Sequence, residues 1–391
     1  MMQERQKAMR IIVAPQALKG SLSAAQTGQA LAEGAREVYP EAEIIVVPVA
    51  DGGEDTTQAL VDATGGRLVE QGVTGPLGQP VRAFFGLLGD GSTAVIEMAA
   101  SSGLPLVPPA QRDPRVTTTR GVGELIRAAL DEGRTRFILG IGGSATNDGG
   151  AGMAQALGAR LLDEQGDELA PGGAALARLA RIDVSHLDPR LASCHFEVAC
   201  DVNNPLCGPT GASAVYGPQK GATPEMIREL DAALAHYADI IERDLGREVC
   251  QAAGAGAAGG LGAGLLAFFN TTLRPGAQII LEAVQLERYL HGANLVITAE
   301  GRLDNQTAYG KSVGAVAALA KKYHLPTLVV AGGLGDDYRE VYNLGIDGLV
   351  VLPSGPMSLD NAMRDAARLA REATERALRI YRAGSLHKNN H

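Results

Sequence analysis

The hydrophobic pattern divides the chain into short apolar runs, each followed by a polar loop and an amphipathic stretch. Residues 10–14 read as a strand and residues 15–23 (PQALKGSLS) as a loop. Residues 24–38 read as a helix with Ala25, Leu31, Ala32 and Ala35 on one side, and Ser23 stands where an N-cap belongs. A second apolar run, residues 44–49, ends in Ala50-Asp51-Gly52-Gly53-Glu54, and another helix follows to Ala63. Strand, loop and helix in alternation is the rhythm of a parallel sheet.

The rhythm changes at residues 73–81 (VTGPLGQPV), where two Gly and two Pro predict a crossing between domains. Strands are predicted at residues 82–88 and 93–98, a helix at 121–130 closed by Gly133, and a strand at 137–141. That strand runs into GIGGSATNDGGAG, residues 140–152, ahead of a helical pattern at 153–157. Further strands are predicted at 159–162 and 196–200, with helices at 224–242 and 265–269. Near residues 281–294 the first rhythm returns. Strands at 295–298, 327–331 and 348–352 alternate with helices at about 313–323 and 361–381.

The fold class expected is therefore α/β with two α/β domains. Residues 1–72 and 290–391 form a discontinuous parallel-sheet domain, and residues 73–289 are inserted into it. Ligands of such sheets bind outside the carboxyl ends of the strands. The loops at 15–23, 51–54 and 299–311 follow strands, which places the expected active site in a cleft between the domains.

Composition narrows the chemistry. Of 391 residues 46% are hydrophobic and only 4% aromatic, with no Trp, so the cores must be aliphatic, as in buried parallel strands. The 50 glycines cluster in loops, where backbone approaches a ligand or another backbone closely. A net charge of −9 without a basic tract argues against nucleic acid and anionic membranes as partners. No run of about 18 apolar residues is present and no secretory pattern opens the chain, so a cytoplasmic protein is expected. The four cysteines (Cys194, Cys200, Cys207, Cys250) form no C-x-x-C pair, and reduced thiols are expected. Among the seven histidines only His387 and His391 stand four apart, in a polar tail, which argues against a histidine-built metal site.

Two motifs fail on context. Gly254-x-Gly256-x-x-Gly259 spells a dinucleotide fingerprint, but the preceding segment is helical where a strand is required. Close packing of small residues, or a phosphate-facing loop, remains for that stretch. Gly310-Lys311-Ser312 ends like a P-loop, but Asn305 stands where the first Gly belongs.

What survives is a set of loops of shared composition. Lys19 brings a cation, with Ser21 and Ser23 as hydroxyls before a helix. Asp51, Gly52, Gly53 and Glu54 give two carboxylates across a glycine pair. Residues 142–150 offer the amides of Gly142 and Gly143 with Ser144, Thr146, Asn147 and Asp148. Asp201 and Asn203 follow a strand, and Lys220 adds a second cation. Glu300, Arg302 and Asp304 come together with Thr307 just beyond. Phosphoryl transfer needs this inventory: amides and cations against phosphates, carboxylates for Mg²⁺, and one carboxylate for the acceptor hydroxyl proton.

The chain closely resembles the type 1 glycerate kinase family. The segments that carry the resemblance are APQALKGSLSA, PVADGGEDT, VIEMAASSGL, TTTRGVGELI, ILGIGGSATNDGGAGM, FEVACDVNNPLCGP, YGPQKGAT, AAGGLGAGLLAF and VITAEGRLDNQT, in order from Ala14 to Thr307. The resemblance implies phosphorylation of D-glycerate by ATP with Mg²⁺, usually at the 2-hydroxyl, and a flavodoxin-like domain made from both chain ends. The family has Pro-Asp-Ser-Phe-Lys-Gly-Ser where this chain has Gln16, Ala17 and Leu18 before Lys19. It has Gly at the positions of Asp55 and Ala299.

On this reading Lys19, Asp201, Arg302 and Asp304 are the candidate catalytic residues. ATP phosphates lie on the amides of a glycine-rich loop, from Gly142 and Gly143 or from Gly259 and Gly260, with Lys19 or Lys220 nearby. Asp201 or Glu300 holds Mg²⁺, and Asp201, Glu300 or Asp304 acts as base. Arg302 or Arg120 meets the glycerate carboxylate. Ser21, Ser23, Asp51, Gly52, Gly53, Glu54, Ser144, Thr146, Asn147, Asp148, Asn203 and Thr307 complete the binding set. Truncating Asn147 or Asp148 is expected to cut turnover and leave the fold intact. The product is 2-phosphoglycerate, with 3-phosphoglycerate left open, and the protein is a monomer or homodimer. Two alternatives are a non-catalytic hydroxy-acid or nucleotide sensor, on the strength of Gln16, and an NAD-dependent hydroxy-acid dehydrogenase, on the strength of the Gly254 spelling.

Overall fold

The computed structural model describes residues 9–53, 55–303 and 312–386. The chain divides into two compact units, one joining Met1–Asp51 to Ile280–His391 and the other formed by Gly52–Ile279. The strands β1 (Arg10–Val13) and β2 (Glu43–Val46) come first. The second unit then supplies β3 (Arg67–Thr74), β4 (Pro80–Leu87), β5 (Thr93–Glu97), β6 (Arg136–Gly140), β7 (Arg160–Leu162), β8 (Arg181–Asp183), β9 (His195–Ala199) and β10 (Thr271–Arg274). The chain closes with β11 (Leu295–Leu303), β12 (Thr327–Leu334) and β13 (Gly348–Val351).

In the first unit all five strands are parallel, in the order β13-β12-β11-β1-β2. Counted along the unit this is the flavodoxin-like doubly wound order, which reverses direction between β1 and β11. Residues two apart on a strand share a face. Ile11, Val13, Leu295 and Ile297 therefore pack with Leu31, Leu369 and Ala373 from the helices Ala24–Arg36 and Ala366–Leu386. Val329 and Ala331 pack the opposite way, with Val313 and Ala317 of the helix Ser312–Lys322, and Leu303 at the end of β11 joins that cluster. Burial on both faces is why these strands read as unbroken apolar runs. Ser23 caps the first helix as expected: its hydroxyl accepts from Gln26 N at 3.2 Å, and Gln26 Oε1 accepts from Ser23 N at 3.0 Å.

The second unit holds a six-stranded sheet in the order β10-β9-β6-β5-β4-β3. From β5 to β10 the pairs are parallel, and β3, β4 and β5 are antiparallel neighbours. Residues 73–81, expected to cross between domains, instead turn the β3–β4 hairpin, where Val73 pairs with Val81 and Thr74 with Pro80. The glycines serve the turn: Gly75 N donates to Gln79 O at 2.7 Å, and Gly78 has φ 82°. The strand predicted at 159–162 pairs with β8 in a separate two-stranded ribbon. β3 lies at the sheet edge with most of its residues exposed, and β10 is a short polar strand, so neither carries an apolar signature. The aliphatic core of this unit is completed by a stack of Phe137, Phe196 and Phe269, with centroids 4.6 and 4.8 Å apart.

All four cysteines are free thiols. Among the described residues no helix is long and apolar enough to cross a membrane. The His387–His391 pair lies outside the described residues.

Candidate active-site loops

In the first unit the strand order reverses between β1 and β11, the place beyond whose carboxyl ends sheets of this order take their ligands. The loop after β1 carries Lys19, which is exposed, and Ser21, whose hydroxyl donates to Leu18 O at 2.8 Å. Across the reversal, β11 carries near its end Glu300, buried at 9% exposure, Gly301, and Arg302, which is exposed. Gly301 of β11 lies beside the loop after β1: a Cβ built on it would meet Lys19 N at 3.8 Å, an ordinary van der Waals contact. The structure thus brings the backbone at Lys19 beside Gly301, which Glu300 and Arg302 flank. Gln16 is buried, and its N–H donates to Ala299 O at 3.0 Å, which ties the two loops through backbone.

In the second unit the parallel strands end in register. Glu97 of β5 pairs with Gly140 of β6, Gly140 with Ala199 of β9, and Ala199 with Arg274 of β10. The loops at 142–150 and 201–204 therefore leave the sheet at one edge. Gly52 packs on this edge as well: a Cβ on Gly140 would lie 2.6 Å from Gly52 O, and one on Gly52 2.6 Å from Ala199 Cβ. Glu97, which the sequence reading did not single out, lies at this same edge. Its carboxylate, 7% exposed, accepts from Thr57 N at 2.7 Å, where the helix Thr56–Thr64 begins behind Gly52. An acidic residue closing the apolar run Thr93–Glu97 was the signal available.

The glycine loop is anchored by buried polar groups. Asp148 is fully buried and accepts from Thr119 N (2.8 Å), Thr119 Oγ1 (2.9 Å), Gly150 N (3.2 Å) and Gly152 N (3.3 Å). Burial raises the Asp148 carboxyl above its ordinary pKa, and those four donors oppose the shift. Asn147 is also buried and donates from Nδ2 to Ser213 Oγ at 2.9 Å. Lys220 is 1% exposed, and its Nζ donates to Ser144 Oγ at 2.8 Å and Thr146 O at 2.6 Å. Burial lowers the Lys220 ammonium to about 7, against the pull of Asp148. Only Gly142 and Gly143 of this loop are exposed, with Ser144 at their border at 8%. Of the residues expected from sequence to touch ligand, Asp148 and Lys220 are held by partners inside the unit, whereas Thr146 Oγ1 and Asn147 Oδ1 are buried without a hydrogen-bond partner.

The stretch 254–264 takes the packing role left open for it. Ala258, Gly259 and Gly260 run left-handed, at φ 55°, 68° and 88°, inside the helix Ala257–Phe268. A Cβ on Gly259 would collide with Thr146 O, and one on Gly260 would lie 2.9 Å from Gly149 Cα. Both glycines are buried against the backbone of the glycine loop, and Gly149 N donates to Gly259 O at 3.0 Å. Elsewhere Asp201 is exposed and its Oδ1 accepts from Gly276 N at 3.0 Å, the first residue of the helix Gly276–Ala283. Asn203 beside it is exposed. Arg120 is exposed, and its Nε donates to Glu124 Oε1 at 3.2 Å.

A family profile described as the glycerate kinase family matches residues 11–382. The chain belongs to that family. It is 56% identical over 359 residues to the glycerate kinase of Bacillus subtilis (strain 168), covering 92% of this chain and 94% of that protein. It is 53% identical over 358 residues to the glycerate 2-kinase of Escherichia coli (strain K12), again with 92% and 94% covered. A solved structure assigned as glycerate kinase 2 from Salmonella typhimurium LT2 matches with a TM-score of 0.91 at 52% identity, covering 97% of this chain and 100% of that one.

The departures from the family pattern have local explanations. Asp55, where the family has Gly, adopts φ 67°, a left-handed position that Asp tolerates better than most residues. Ala299, also a Gly position in the family, is wholly buried on β11, where its methyl joins the core around Val13 and Val330. Glu54, Asp304 and Thr307 lie outside the described residues.

Proposed function

We propose that the protein is a glycerate 2-kinase, transferring the γ-phosphoryl group of ATP to the 2-hydroxyl of D-glycerate to give 2-phosphoglycerate and ADP. The observation that carries this reading is similarity over nine-tenths of the chain to relatives named for that activity. In the transfer the acceptor oxygen bonds to the γ-phosphorus while the bond to the β–γ bridging oxygen breaks. The hydroxyl proton passes to a carboxylate, for which Asp201, Glu300 and Asp304 are the candidates.

Lys19 and Arg302 supply cations at the strand-order reversal, where an anionic ligand is expected in this fold. Arg120 is engaged by Glu124, so Arg302 is the residue this reading assigns to the glycerate carboxylate. Gly142 and Gly143 offer exposed backbone to a phosphate. Among the described residues no group of three or more His, Cys, Asp or Glu is built to hold a metal ion. Mg²⁺ uses one or two carboxylates together with substrate phosphates and water, so it does not require such a cluster. Asp201 and Glu300 are the hard oxygen donors available to it. When bound, Mg²⁺ neutralises charge that develops on the phosphates. A cytoplasmic location, and a monomer or homodimer, belong to the same reading.

The test is ADP formation from ATP and Mg²⁺ with D-glycerate, compared with L-glycerate and with no acceptor. D-Glycerate-dependent ADP is expected, with 2-phosphoglycerate identified by ³¹P NMR. No acceptor-dependent ADP ends the kinase reading, and 3-phosphoglycerate alone corrects the regiochemistry.

A further inference from the structure

The contact between Lys220 and Ser144 has a directional consequence. An ammonium group carries three donors and no acceptor. Ser144 Oγ, 2.8 Å from Lys220 Nζ, therefore accepts, and its own hydrogen is turned away from Lys220. Ser144 stands where the loop passes from solvent to interior: Gly142 and Gly143 before it are exposed, and Ala145 and Thr146 after it are buried. The backbone there is fixed on both sides. Leu104 N donates to Gly143 O at 2.8 Å, Ala145 N to Ser102 O at 2.9 Å, and Thr117 Oγ1 to Ala145 O at 3.0 Å. The hydroxyl is thus held at a set place with a set polarity, beside the exposed glycines.

We propose that Ser144 is an anion-binding hydroxyl of the active site, donating to a substrate phosphate or carboxylate oxygen, and that Lys220 is the positioning residue that orients it. The proposal rests on the kinase reading and adds which hydroxyl meets the anion. It gives Lys220 a role through Ser144 without contact to substrate. The charged and titratable groups around Lys220 are few. Asp148 attracts it from the glycine loop, and Tyr237, buried on the helix Pro224–Leu245, lies within reach of the Asp148 charge. Arg112 donates from Nη1 to the carbonyl of the adjacent Gln219 at 3.4 Å. With its pKa lowered to about 7, Lys220 becomes a neutral amine above that pH. A neutral amine has a lone pair and can accept from Ser144, which turns the hydroxyl inward. Anion affinity is therefore held below pH about 7 and falls as Lys220 loses its proton above it.

The experiment is calorimetric titration of the full chain with ADP and, separately, with D-glycerate, for wild type, S144A, K220M and the double variant. S144A and K220M are each expected to weaken one ligand by about ten- to a hundredfold, the worth of a hydrogen bond to a charged group. The ligand affected identifies the anion as phosphate or carboxylate. The double variant is expected to bind no worse than the weaker single, because both changes remove the same donor. Wild-type affinity for that ligand falls between pH 7 and 9, and S144A loses this dependence. The S144A arm and the pH profile carry the test if K220M does not fold. Affinities of S144A within twofold of wild type for both ligands overturn the proposal, and additive losses overturn the part played by Lys220. Wild-type turnover is scored separately. Its absence ends the kinase reading, whereas turnover with an unaffected S144A ends only this inference.

Discussion

Thr119 is tied twice to Asp148, its backbone N–H donating to Oδ2 at 2.8 Å and its hydroxyl to the same oxygen at 2.9 Å. Thr119 stands at the start of the helix Arg120–Asp131, and Asp148 also takes Gly150 N and Gly152 N where the helix Ala151–Ala156 begins. One carboxylate thus joins two helix starts to the glycine loop. Asp148→Ala would leave four donors at a site with no solvent exposure. We expect a loss of about 3–4 kcal/mol in urea unfolding, since each buried unsatisfied group costs ~1–3 kcal/mol and relaxation recovers part. This expectation differs from the intact fold expected from sequence, because burial makes the side chain a structural partner. Wild-type stability in Asp148→Ala would show that the loop holds without it.

Thr119→Val removes a hydroxyl that donates to Asp148 and accepts from Met153 N at 3.0 Å. A loss of about 1–2 kcal/mol is expected, with Thr119→Ser close to wild type. Equal melting of the Val and Ser variants would contradict the hydrogen-bonded role.

Gly259→Ala places a methyl against Thr146 O at a left-handed backbone position, so the loop or the helix must move. Destabilisation above about 3 kcal/mol, or failure to accumulate as folded protein, is expected. Gly301→Ala is the contrast for stability alone. Its nearest neighbour within 4 Å would be Lys19 N at 3.8 Å, and thermal unfolding should move by less than about 1 kcal/mol. A folded, stable Gly259→Ala protein would refute the packing account.

Lys220 titrates near pH 7 when folded and near ~10.4 when unfolded. Between these values the unfolded chain binds the proton and the folded chain does not, so stability contributed at this site rises with pH. Its slope approaches ~1.4 kcal/mol per pH unit at the middle of the window. The unfolding free energy of wild type minus that of Lys220→Met, followed from pH 7 to 9, should rise accordingly. A flat difference would mean that Lys220 keeps an ordinary pKa.

Asp55 holds φ 67° without a side-chain hydrogen bond to the helix it precedes. A non-glycine residue in this region costs roughly 1–2 kcal/mol, and the extra freedom of Gly in the unfolded chain takes back ~0.4–1 kcal/mol. Asp55→Gly is therefore expected to stabilise by about 0.5 kcal/mol, read as a small rise in Tm. A fall in Tm would reveal an interaction of the carboxylate that outweighs the strain.

Much of the first unit was legible because its strands are buried on both faces and its loops fall where the pattern breaks. Lys19 follows β1 as expected, whereas Glu300 and Arg302, expected in a loop after a strand at 295–298, lie inside β11, which pairs with β12 as far as Leu303. The second unit was less legible. β3 is an exposed edge strand and β10 is short and polar, so neither shows the alternation that marks a half-buried strand. Glu97 was hidden by its apolar neighbours. The spelling at Gly254 resembled a phosphate loop because close backbone packing and phosphate binding select the same residue.

Periodicity and composition by themselves determined the α/β class, the return to the first sheet near the end of the chain, and which loops carry polar chemistry. Those features depend on neighbours along the chain, so a local pattern records them. Only the tertiary structure decided which of the polar groups face inward. A buried carboxylate or ammonium is stable only where distant segments supply its partners. Asp148 draws two of its donors from 29 residues away, and Lys220 reaches Ser144 and Thr146 across 76 and 74 residues. No spacing in the sequence encodes those distances.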